Sequence, residues 1–204
     1  MSQATLQRRP LVKEILAGAD DNLLVIGGLG SSNWDITNAG DRPLNMPLWG
    51  AMGAPVGMGL GLALAQPTKR VLVITGDGDM LMSLGSLATV AAQSPDNLAI
   101  CVLDNEKFGE TGNQATHTSP RNNGPTDSGA GTDLAAIARG CGIADCGTVS
   151  AAAEVAQLVK DLRSRKGPIF RLVKVMVEKL EFVMPPQDGA HLKDRFRQAL
   201  LGHP

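Results

Sequence analysis

Four apolar runs restrict the possible fold of this sequence more than any other feature. Each is short, rich in β-branched residues and bounded by turn residues, and they lie at 23–26, 70–76, 98–104 and 168–177. Their length is typical of strands, and their unbroken apolar character is typical of parallel strands that are covered on both faces. Helical patterns separate the runs. The sequence therefore predicts an α/β fold: a single domain with a mostly parallel central sheet and helices on both faces.

The segments between the runs carry helix signals. Pro10 lies near the start of a helix that Gly18 can end, and Ser150 is predicted to cap a helix with an apolar stripe over 155–162. Further helices are predicted at 55–65, 80–93, 133–139 and 192–202, and short extended pieces at 44–49 and before 149. No repeat or linker divides residues 1–204, which we interpret as one domain.

Composition excludes several classes of function. The chain is 43% hydrophobic and 19% charged, with a net charge of −1, so we expect a globular protein without the basic surface that binds nucleic acid. The most apolar stretch, 50–65, is rich in glycine and too short to cross a bilayer, so no membrane span is expected. No signal peptide is predicted, and three scattered cysteines fit a reducing cytoplasm better than a disulfide framework.

Polar residues follow two of the predicted strands where each strand ends. Gly76, Asp77, Gly78 and Asp79 follow the run at 70–76, and Asn105 follows the next run. Open α/β sheets bind ligands at the carboxyl ends of their strands, and a carboxylate and an amide oxygen suit Mg²⁺, which takes its other ligands from phosphates and water. The glycines allow backbone N–H groups to approach phosphate oxygens. An isolated Gly-Asp-Gly is more often a plain turn, but this spacing favours a metal-bridged diphosphate site, to which we assign Gly76, Gly78 and Asp79 as phosphate-side residues.

The segment GDGDM…VLDNEKFG, 76–80 and 102–109, resembles the cofactor motif of thiamine diphosphate enzymes. The resemblance implies that Asp77, Asn105 and the backbone carbonyl of Lys107 bind Mg²⁺. Many members have two asparagines where this chain has Asp104 and Asn105, but the matching ligand is kept.

A second stretch, LWGAMGAPVGMGLGLALA at 48–65, resembles the segment that precedes this motif in decarboxylases of the family. The resemblance implies that the backbone of Gly50 contacts the aminopyrimidine ring and that Met52 wedges under the bend of the cofactor. Ordinary core packing is the alternative for Met52. Downstream, Thr111 and Gly112 lie in the long polar segment 105–131 and are predicted to close over the cofactor.

Two charged or titratable residues of the same segment are candidates for substrate contacts. His117 is a candidate acid–base group because the unperturbed pKa of histidine lies near neutrality, and Arg121 could meet an anionic substrate. The alternatives are a solvent-exposed loop histidine and a solvated loop charge.

The family activates its cofactor with a glutamate that belongs to a separate pyrimidine-binding domain. No glutamate of this chain lies in a matching context, so the resemblance implies that a partner α subunit supplies it. The chain is most similar to the β subunits of sulfopyruvate decarboxylases and to phosphonopyruvate decarboxylases, through its length, FGETGNQATHT at 108–118 and DGAHLKDRFRQAL at 188–200.

The expected activity is therefore decarboxylation of a small anionic 2-oxo acid by a hetero-oligomer that uses thiamine diphosphate and Mg²⁺. Three alternatives stay open: the β subunit of a 2-oxo acid oxidoreductase, a carboligase like acetolactate synthase, and a non-catalytic module that binds the cofactor.

Overall fold

The computed structural model describes residues 4–120 and 131–203. Its strands are β1 (Leu23–Gly27), β2 (Asn45–Pro47), β3 (Arg70–Gly76), β4 (Leu98–Asp104), β5 (Lys107–Phe108), β6 (Gln114–Ala115), β7 (Asp145–Val149) and β8 (Ile169–Lys174). Six of them form one sheet in the order β2-β1-β3-β4-β8-β7, and every pair in it is parallel. β5 and β6 form a separate antiparallel ribbon. The predicted mostly parallel sheet is confirmed.

The described helices are α1 (Arg8–Leu16), α2 (Ser31–Ala39), α3 (Pro55–Ala65), α4 (Asp77–Leu81), α5 (Gly85–Gln93), α6 (Leu134–Gly140), α7 (Val155–Ser164) and α8 (Gly189–Leu201). They cover both faces of the sheet. One apolar cluster joins α3, α5, α6 and α8 to the sheet, and the other joins α1, α2 and α7 to its opposite face. None of the helices in the described ranges is long and apolar enough to cross a membrane.

The central strands explain why the sequence pattern is so clear. Along β3, Val71 and Val73 pack into one cluster, while Leu72 and Ile74 pack into the other. All four side chains are fully buried. Because burial of such a side chain contributes about 1.5–3 kcal/mol, apolar residues are favoured at successive positions and not only at alternate ones.

Three local expectations were wrong or incomplete. The single helix predicted at 80–93 is two helices, because the N–H groups of Met82 and Ser83 bond three residues back, to Asp79 and Met80, and tighten the chain between α4 and α5. No helix was predicted at 31–39, where α2 lies, since that segment has few apolar residues.

The predicted cap at Ser150 is the third. A 3₁₀ turn, Ala152–Glu154, precedes α7, and the carboxylate of Glu154 accepts the N–H groups of Ser150 and Ala151 at 3.0 and 2.9 Å. The turn places Ser150 ahead of the helix, so the N-cap of α7 is Glu154, and no side chain caps it. The carboxylate of Glu154 instead holds the two residues that lead into the turn.

Candidate functional site

A pocket opens at the carboxyl ends of β1, β3 and β4, which are neighbours in the sheet. It encloses about 690 Å³ of space that is open to solvent. Its lining comes from the segments that follow these strands and from the start of α1: Arg8, Leu29, Gly30, Ser31, Ser32, Met52, Gly76, Asp77, Gly78, Asp79, Met82, Leu103, Asn105, Lys107, Phe108, Gly109, Glu110 and Thr111. Polar side chains from distant parts of the sequence therefore meet at one edge of the sheet, as parallel α/β topology dictates.

Asp77 is the first residue of α4 and is 1% exposed. One carboxylate oxygen, Oδ2, accepts the hydroxyl groups of Thr116 and Thr118 at 2.5 and 3.0 Å. The other oxygen, Oδ1, accepts no side-chain hydrogen bond from the described residues. Burial, reinforced by the nearby charge of Asp104, raises the pKa of Asp77 to about 6. The carboxylate is thus fixed in place, half-satisfied and short of positive charge.

Asp104 lies beside this group but has a partner of its own. Its Oδ2 forms an ion pair with Lys174 at 2.6 Å, and its Oδ1 lies 2.9 Å from the hydroxyl of Thr118. Because Thr118 has one hydroxyl proton, Asp104 and Asp77 share it. Asp104 does not border the pocket. Lys174 partly offsets the charge of Asp104, and Asp104 helps to hold Thr118 in place.

The chain turns sharply after β4, which brings Asn105 and Lys107 to the pocket. Glu106 adopts a left-handed backbone with φ 61°, and the N–H of Lys107 donates to Oδ1 of Asn105 at 3.0 Å. This amide oxygen keeps a second lone pair for another ligand. Asp77, Asn105 and Lys107, which the sequence assigns to Mg²⁺, all border the same pocket.

Asp79 borders the pocket too, but protein donors occupy both of its carboxylate oxygens. The N–H of Gly53 donates to Oδ1 and the hydroxyl of Thr75 donates to Oδ2, each at 2.5 Å. The side chain thereby ties the loop that carries Met52 to the end of β3. The predicted contact of Asp79 with the cofactor stays a prediction, and its carboxylate has a clear positioning role.

Met52 borders the pocket with 58% of its surface exposed, so core packing does not account for it. Gly50 precedes it with φ +64° and open space around its Cα, but does not itself border the pocket. The left-handed backbone at Gly50 is a conformation that glycine adopts at little cost. The predicted roles of Gly50 and Met52 stay predictions.

The remaining predicted residues divide between the pocket and its surroundings. Gly76, Gly78 and Thr111 border it, and Gly112 follows Thr111 outside it. A Cβ at Gly78 would lie 2.6 Å from the ring of Phe108, so that glycine permits α4 to pack against the β5–β6 ribbon. All four assignments stay predictions.

The candidate histidine lies away from the pocket. His117 is exposed, and its backbone carbonyl accepts the N–H of Thr132 at 2.8 Å. Its catalytic role stays a prediction. Arg121 lies outside the described residues.

Sequence reasoning missed two contributions to the pocket. One is the loop from β1 to α2, where Gly30, Ser31 and Ser32 line the pocket. The cluster of glycines at 27–30 was the available signal, since a Cβ at Gly28 would lie 2.2 Å from the hydroxyl of Thr75. The other is Arg8 at the start of α1, for which the sequence carries no signal.

The pocket is not a site in which protein side chains alone would hold a metal. In the described part of the chain, no group of three or more histidine, cysteine, aspartate or glutamate residues could hold an ion. The predicted set has one carboxylate, one amide and one backbone carbonyl. Such a set suits a hard cation that shares its coordination with phosphate oxygens.

Comparison with known proteins gives a consistent result. Residues 29–172 match the family model described as the thiamine pyrophosphate enzyme, C-terminal TPP binding domain. The chain is 32% identical to sulfopyruvate decarboxylase subunit beta of Methanothermobacter thermautotrophicus over 93% of each chain, and 36% identical to that of Methanocaldococcus jannaschii over 67% of each. It is 38% identical to phosphonopyruvate decarboxylase of Streptomyces viridochromogenes over 69% of this chain and 32% of the longer relative.

A solved structure shares the fold. The chain resembles 2-oxoglutarate:ferredoxin oxidoreductase from Magnetococcus marinus with a TM-score of 0.68 and 16% identity, over 96% of this chain and 78% of that one. At this identity the likeness concerns the fold alone.

Proposed function

The chain belongs to the family of thiamine pyrophosphate enzymes, and we propose that it is the β subunit of a decarboxylase that depends on thiamine diphosphate and Mg²⁺. Its substrate is a small anionic 2-oxo acid such as sulfopyruvate. A partner α subunit binds the pyrimidine end of the cofactor and supplies the activating glutamate. The names of the most similar relatives, two sulfopyruvate decarboxylase β subunits and a phosphonopyruvate decarboxylase, support this assignment.

One observation carries the proposal: Asp77 and Asn105, from the ends of adjacent strands, border one pocket with Lys107. The donor set fits Mg²⁺. Oδ1 of Asp77 is available, and a cation would offset the cost of burying this carboxylate, which the raised pKa reflects. Asn105 and the carbonyl of Lys107 would complete the protein ligands, and the diphosphate would supply others.

The same pocket fits a diphosphate. The open space beside Gly76, where a Cβ would meet nothing within 4 Å, leaves backbone free for phosphate oxygens. When bound, the cofactor supplies the electron sink for the electron pair that remains when carbon dioxide leaves the 2-oxo acid. The residues of this chain bind and orient it: Asp77, Asn105 and Lys107 through the metal, and Met52 at its bend.

An unusual surface beside the pocket supports a partner subunit. Residues 43–68 and 80–95 contain no charged residue. These two segments include α3 and α5, which pack side by side. The solvent-facing side of α3 consists of Gly57, Met58, Gly61, Leu64 and Ala65. A helix that is apolar on all sides normally lies buried, so a second protein is needed to cover this one.

The surface is continuous with the mouth of the pocket. Met52 and Met82, which border the pocket, are 58% and 53% exposed, and a Cβ at Gly53 would lie 3.3 Å from Cβ of Met82. A subunit that covers α3 and these methionines would also close the pocket over the pyrimidine end of the cofactor. This continuity favours the pyrimidine-binding subunit as the occupant.

The metal site is tested by calorimetry with thiamine diphosphate and Mg²⁺ on the chain co-expressed with its partner. We expect Asp77→Ala and Asn105→Ala to abolish measurable binding. Asp96→Ala, which removes a carboxylate that pairs with Lys166 far from the pocket, should bind like the wild type. Unchanged binding by the first two variants would contradict the metal assignment. Carbon dioxide release from sulfopyruvate, phosphonopyruvate and pyruvate then identifies the substrate, and turnover by this chain alone would refute the shared site.

The docking surface is tested by Met58→Lys, with Met176→Lys as the control. The two methionines are equally exposed, at 38% and 39%, but Met176 follows β8 away from α3. We expect Met58→Lys to prevent co-purification with the α subunit and Met176→Lys to permit it. The opposite result would place the interface elsewhere.

A further inference from the structure

Arg8 is a buried cation beside the pocket, and the proposed function gives it no role. Its side chain is 5% exposed, and it borders the pocket from the start of α1. Resting on the proposed function, we propose that Arg8 binds the diphosphate of the cofactor. It would act as a second cationic contact, beside the metal.

The position of Arg8 is set by a buried ion pair. Its Nε donates to Oδ2 of Asp35, a carboxylate with 0% exposure, while Nε of Arg9 donates to Oδ1 at 2.9 Å. Asp35 is shared by two arginines, and the carboxylate of Glu178 accepts the backbone N–H of Arg8 at 2.7 Å. These contacts fix the start of α1 and use only Nε of the Arg8 guanidinium. A buried guanidinium whose donors are only partly used gains from a further acceptor, which an anion in the pocket would supply.

The guanidinium of Arg8 has donors without a partner among the described residues. Within residues 4–120 and 131–203, its only side-chain hydrogen bond is the one from Nε to Asp35. Asn33 Oδ1, Trp34 Nε1 and Arg195 Nε are the fully enclosed side-chain atoms of the described residues that lack a hydrogen-bond partner. The Nη atoms of Arg8 do not belong to this set, so they remain accessible from open space. Arg9 differs, since its Nη2 donates to the backbone carbonyl of Glu181 at 2.7 Å and it does not border the pocket.

Arg8 lies beside the amino end of α2. Asp35, its partner, follows Ser31 by four residues, which places both on one face of the helix. Gly30, Ser31 and Ser32 border the pocket, and no side chain caps the helix. Among the residues that the structure describes, the N–H groups of Ser31 and Ser32 bond to no backbone acceptor, and the first helical bonds start at Asn33. An uncapped helix start next to a buried arginine is an anion-binding arrangement.

The amino end of α2 adjoins the segment that carries two of the predicted metal ligands, Asn105 and Lys107. A Cβ at Gly109, two residues after Lys107, would lie 3.6 Å from Oγ of Ser31. Met52 instead sits on the loop that Asp79 holds. The anion that reaches Arg8 is therefore the diphosphate held near Lys107, and not the group that reacts at the bend beside Met52.

Charge balance favours the same ligand. Three carboxylates, those of Asp77, Asp79 and Glu110, border the pocket, and a diphosphate adds more negative charge than one Mg²⁺ offsets. Arg8 and Lys107 are the cationic side chains of the described lining, and of these only Arg8 is buried. A charge-assisted contact in a desolvated site is stronger than one in water.

The first experiment measures binding of thiamine diphosphate with Mg²⁺ to the co-expressed complex by calorimetry. We expect Arg8→Met to weaken binding about ten- to a hundredfold, the effect of losing hydrogen bonds to a charged group. Arg9→Met, which also removes a partner of Asp35, should change it less than about threefold. Equal losses in the two variants would show a structural role through Asp35 and overturn the proposal.

A second probe isolates anion recognition. Inorganic diphosphate with Mg²⁺ should compete for the site, and Arg8→Met should weaken this competition by the same factor as cofactor binding. With saturating cofactor, the KM of the 2-oxo acid should stay within about threefold of the wild type. If KM rises while both diphosphate affinities are unchanged, Arg8 contacts the substrate and the proposal is wrong.

Two further variants keep the test valid if Arg8→Met folds poorly. Arg8→Lys keeps the cation, and we expect it to retain more affinity than Arg8→Met. In an Asp35→Asn background, Arg8→Met no longer leaves the buried carboxylate of Asp35 without a partner, and we expect the same loss of affinity relative to Asp35→Asn alone. No additional loss in that background would overturn the proposal. A wild-type complex that does not bind thiamine diphosphate would refute the proposed function itself, whereas a failure of Arg8 alone would leave that function standing.

Discussion

Replacing Asp77 by asparagine should stabilise the metal-free chain while abolishing its response to the metal. Asparagine has nearly the same shape, and its Oδ1 can still accept the hydroxyl groups of Thr116 and Thr118. What it removes is a buried negative charge that lies near Asp104. The same substitution therefore separates the folding cost of this carboxylate from its use as a ligand.

The pKa of Asp77 gives the magnitude. Burial and the charge of Asp104 raise it from 3.8 to about 6, which corresponds to about 3 kcal/mol of destabilisation once the group is ionised. A raised carboxyl pKa means that the folded state holds its proton more tightly than the unfolded state does. The wild type should therefore lose stability as pH rises from about 4 to 6 and stay low above 6, and Asp77→Asn should not.

The assay is thermal unfolding of the purified chain in EDTA at pH values from 4 to 8. At pH 8 the Tm of Asp77→Asn should exceed that of the wild type by roughly 6–12 °C, and the difference should vanish near pH 4. In the complex with the α subunit, adding Mg²⁺ and thiamine diphosphate should raise the Tm of the wild type and not that of Asp77→Asn. Asp96→Asn, which removes a fully solvated ion pair with Lys166, should change stability by less than about 0.5 kcal/mol.

Two results would refute the reasoning. If Asp77→Asn is no more stable than the wild type at pH 8 in EDTA, the buried carboxylate carries no folding cost. If Mg²⁺ and the cofactor stabilise both proteins equally, Asp77 is not a ligand.

Two further substitutions test the packing that holds the site in place. Gly59→Ala should destabilise the chain by about 1–3 kcal/mol in denaturant titrations, because its Cβ would lie 2.3 Å from Cγ2 of Val73. Gly61→Ala, on the open side of the same helix, should be neutral or slightly stabilising. Equal effects of the two substitutions would contradict the close approach of α3 to β3. Arg171→Met should lower the free energy of unfolding by about 3–5 kcal/mol, because buried Asp161 would lose its ion pair with Arg171 at 2.7 Å. A decrease of less than about 1 kcal/mol would show that this ion pair is dispensable for stability.

Much of the fold and part of the site could be predicted from the sequence. The strands were predictable because each is buried on both faces, which leaves an unbroken apolar run in the chain, as in β3 and β4. The convergence of Asp77 and Asn105 on one pocket followed from the strand order, since parallel strands that are neighbours end at one edge of the sheet, while Lys107 came from the family resemblance.

Local signals failed where a tertiary contact decides the conformation. The carboxylate of Asp79 is held by the N–H of Gly53, which is distant in the chain, and by the hydroxyl of Thr75, which belongs to β3. The chain tightens soon after Asp79, and α4 ends at Leu81. The start of α2 has no side-chain cap, and its sequence gave few apolar positions from which a helix could be inferred. Helical periodicity cannot report such constraints, because they arise from groups outside the helix.

The sequence by itself determined the order of the main strands, the strand ends that carry the predicted metal ligands, and the family. These depend on burial patterns and on short segments whose residues are close along the chain. Only the tertiary structure decided that Arg8 borders the pocket, that Lys174 partly offsets the charge of Asp104, and that the uncharged face of α3 stays open beside Met52. Each of these joins groups that are distant in the chain, and the packing of helices on the sheet brings them together.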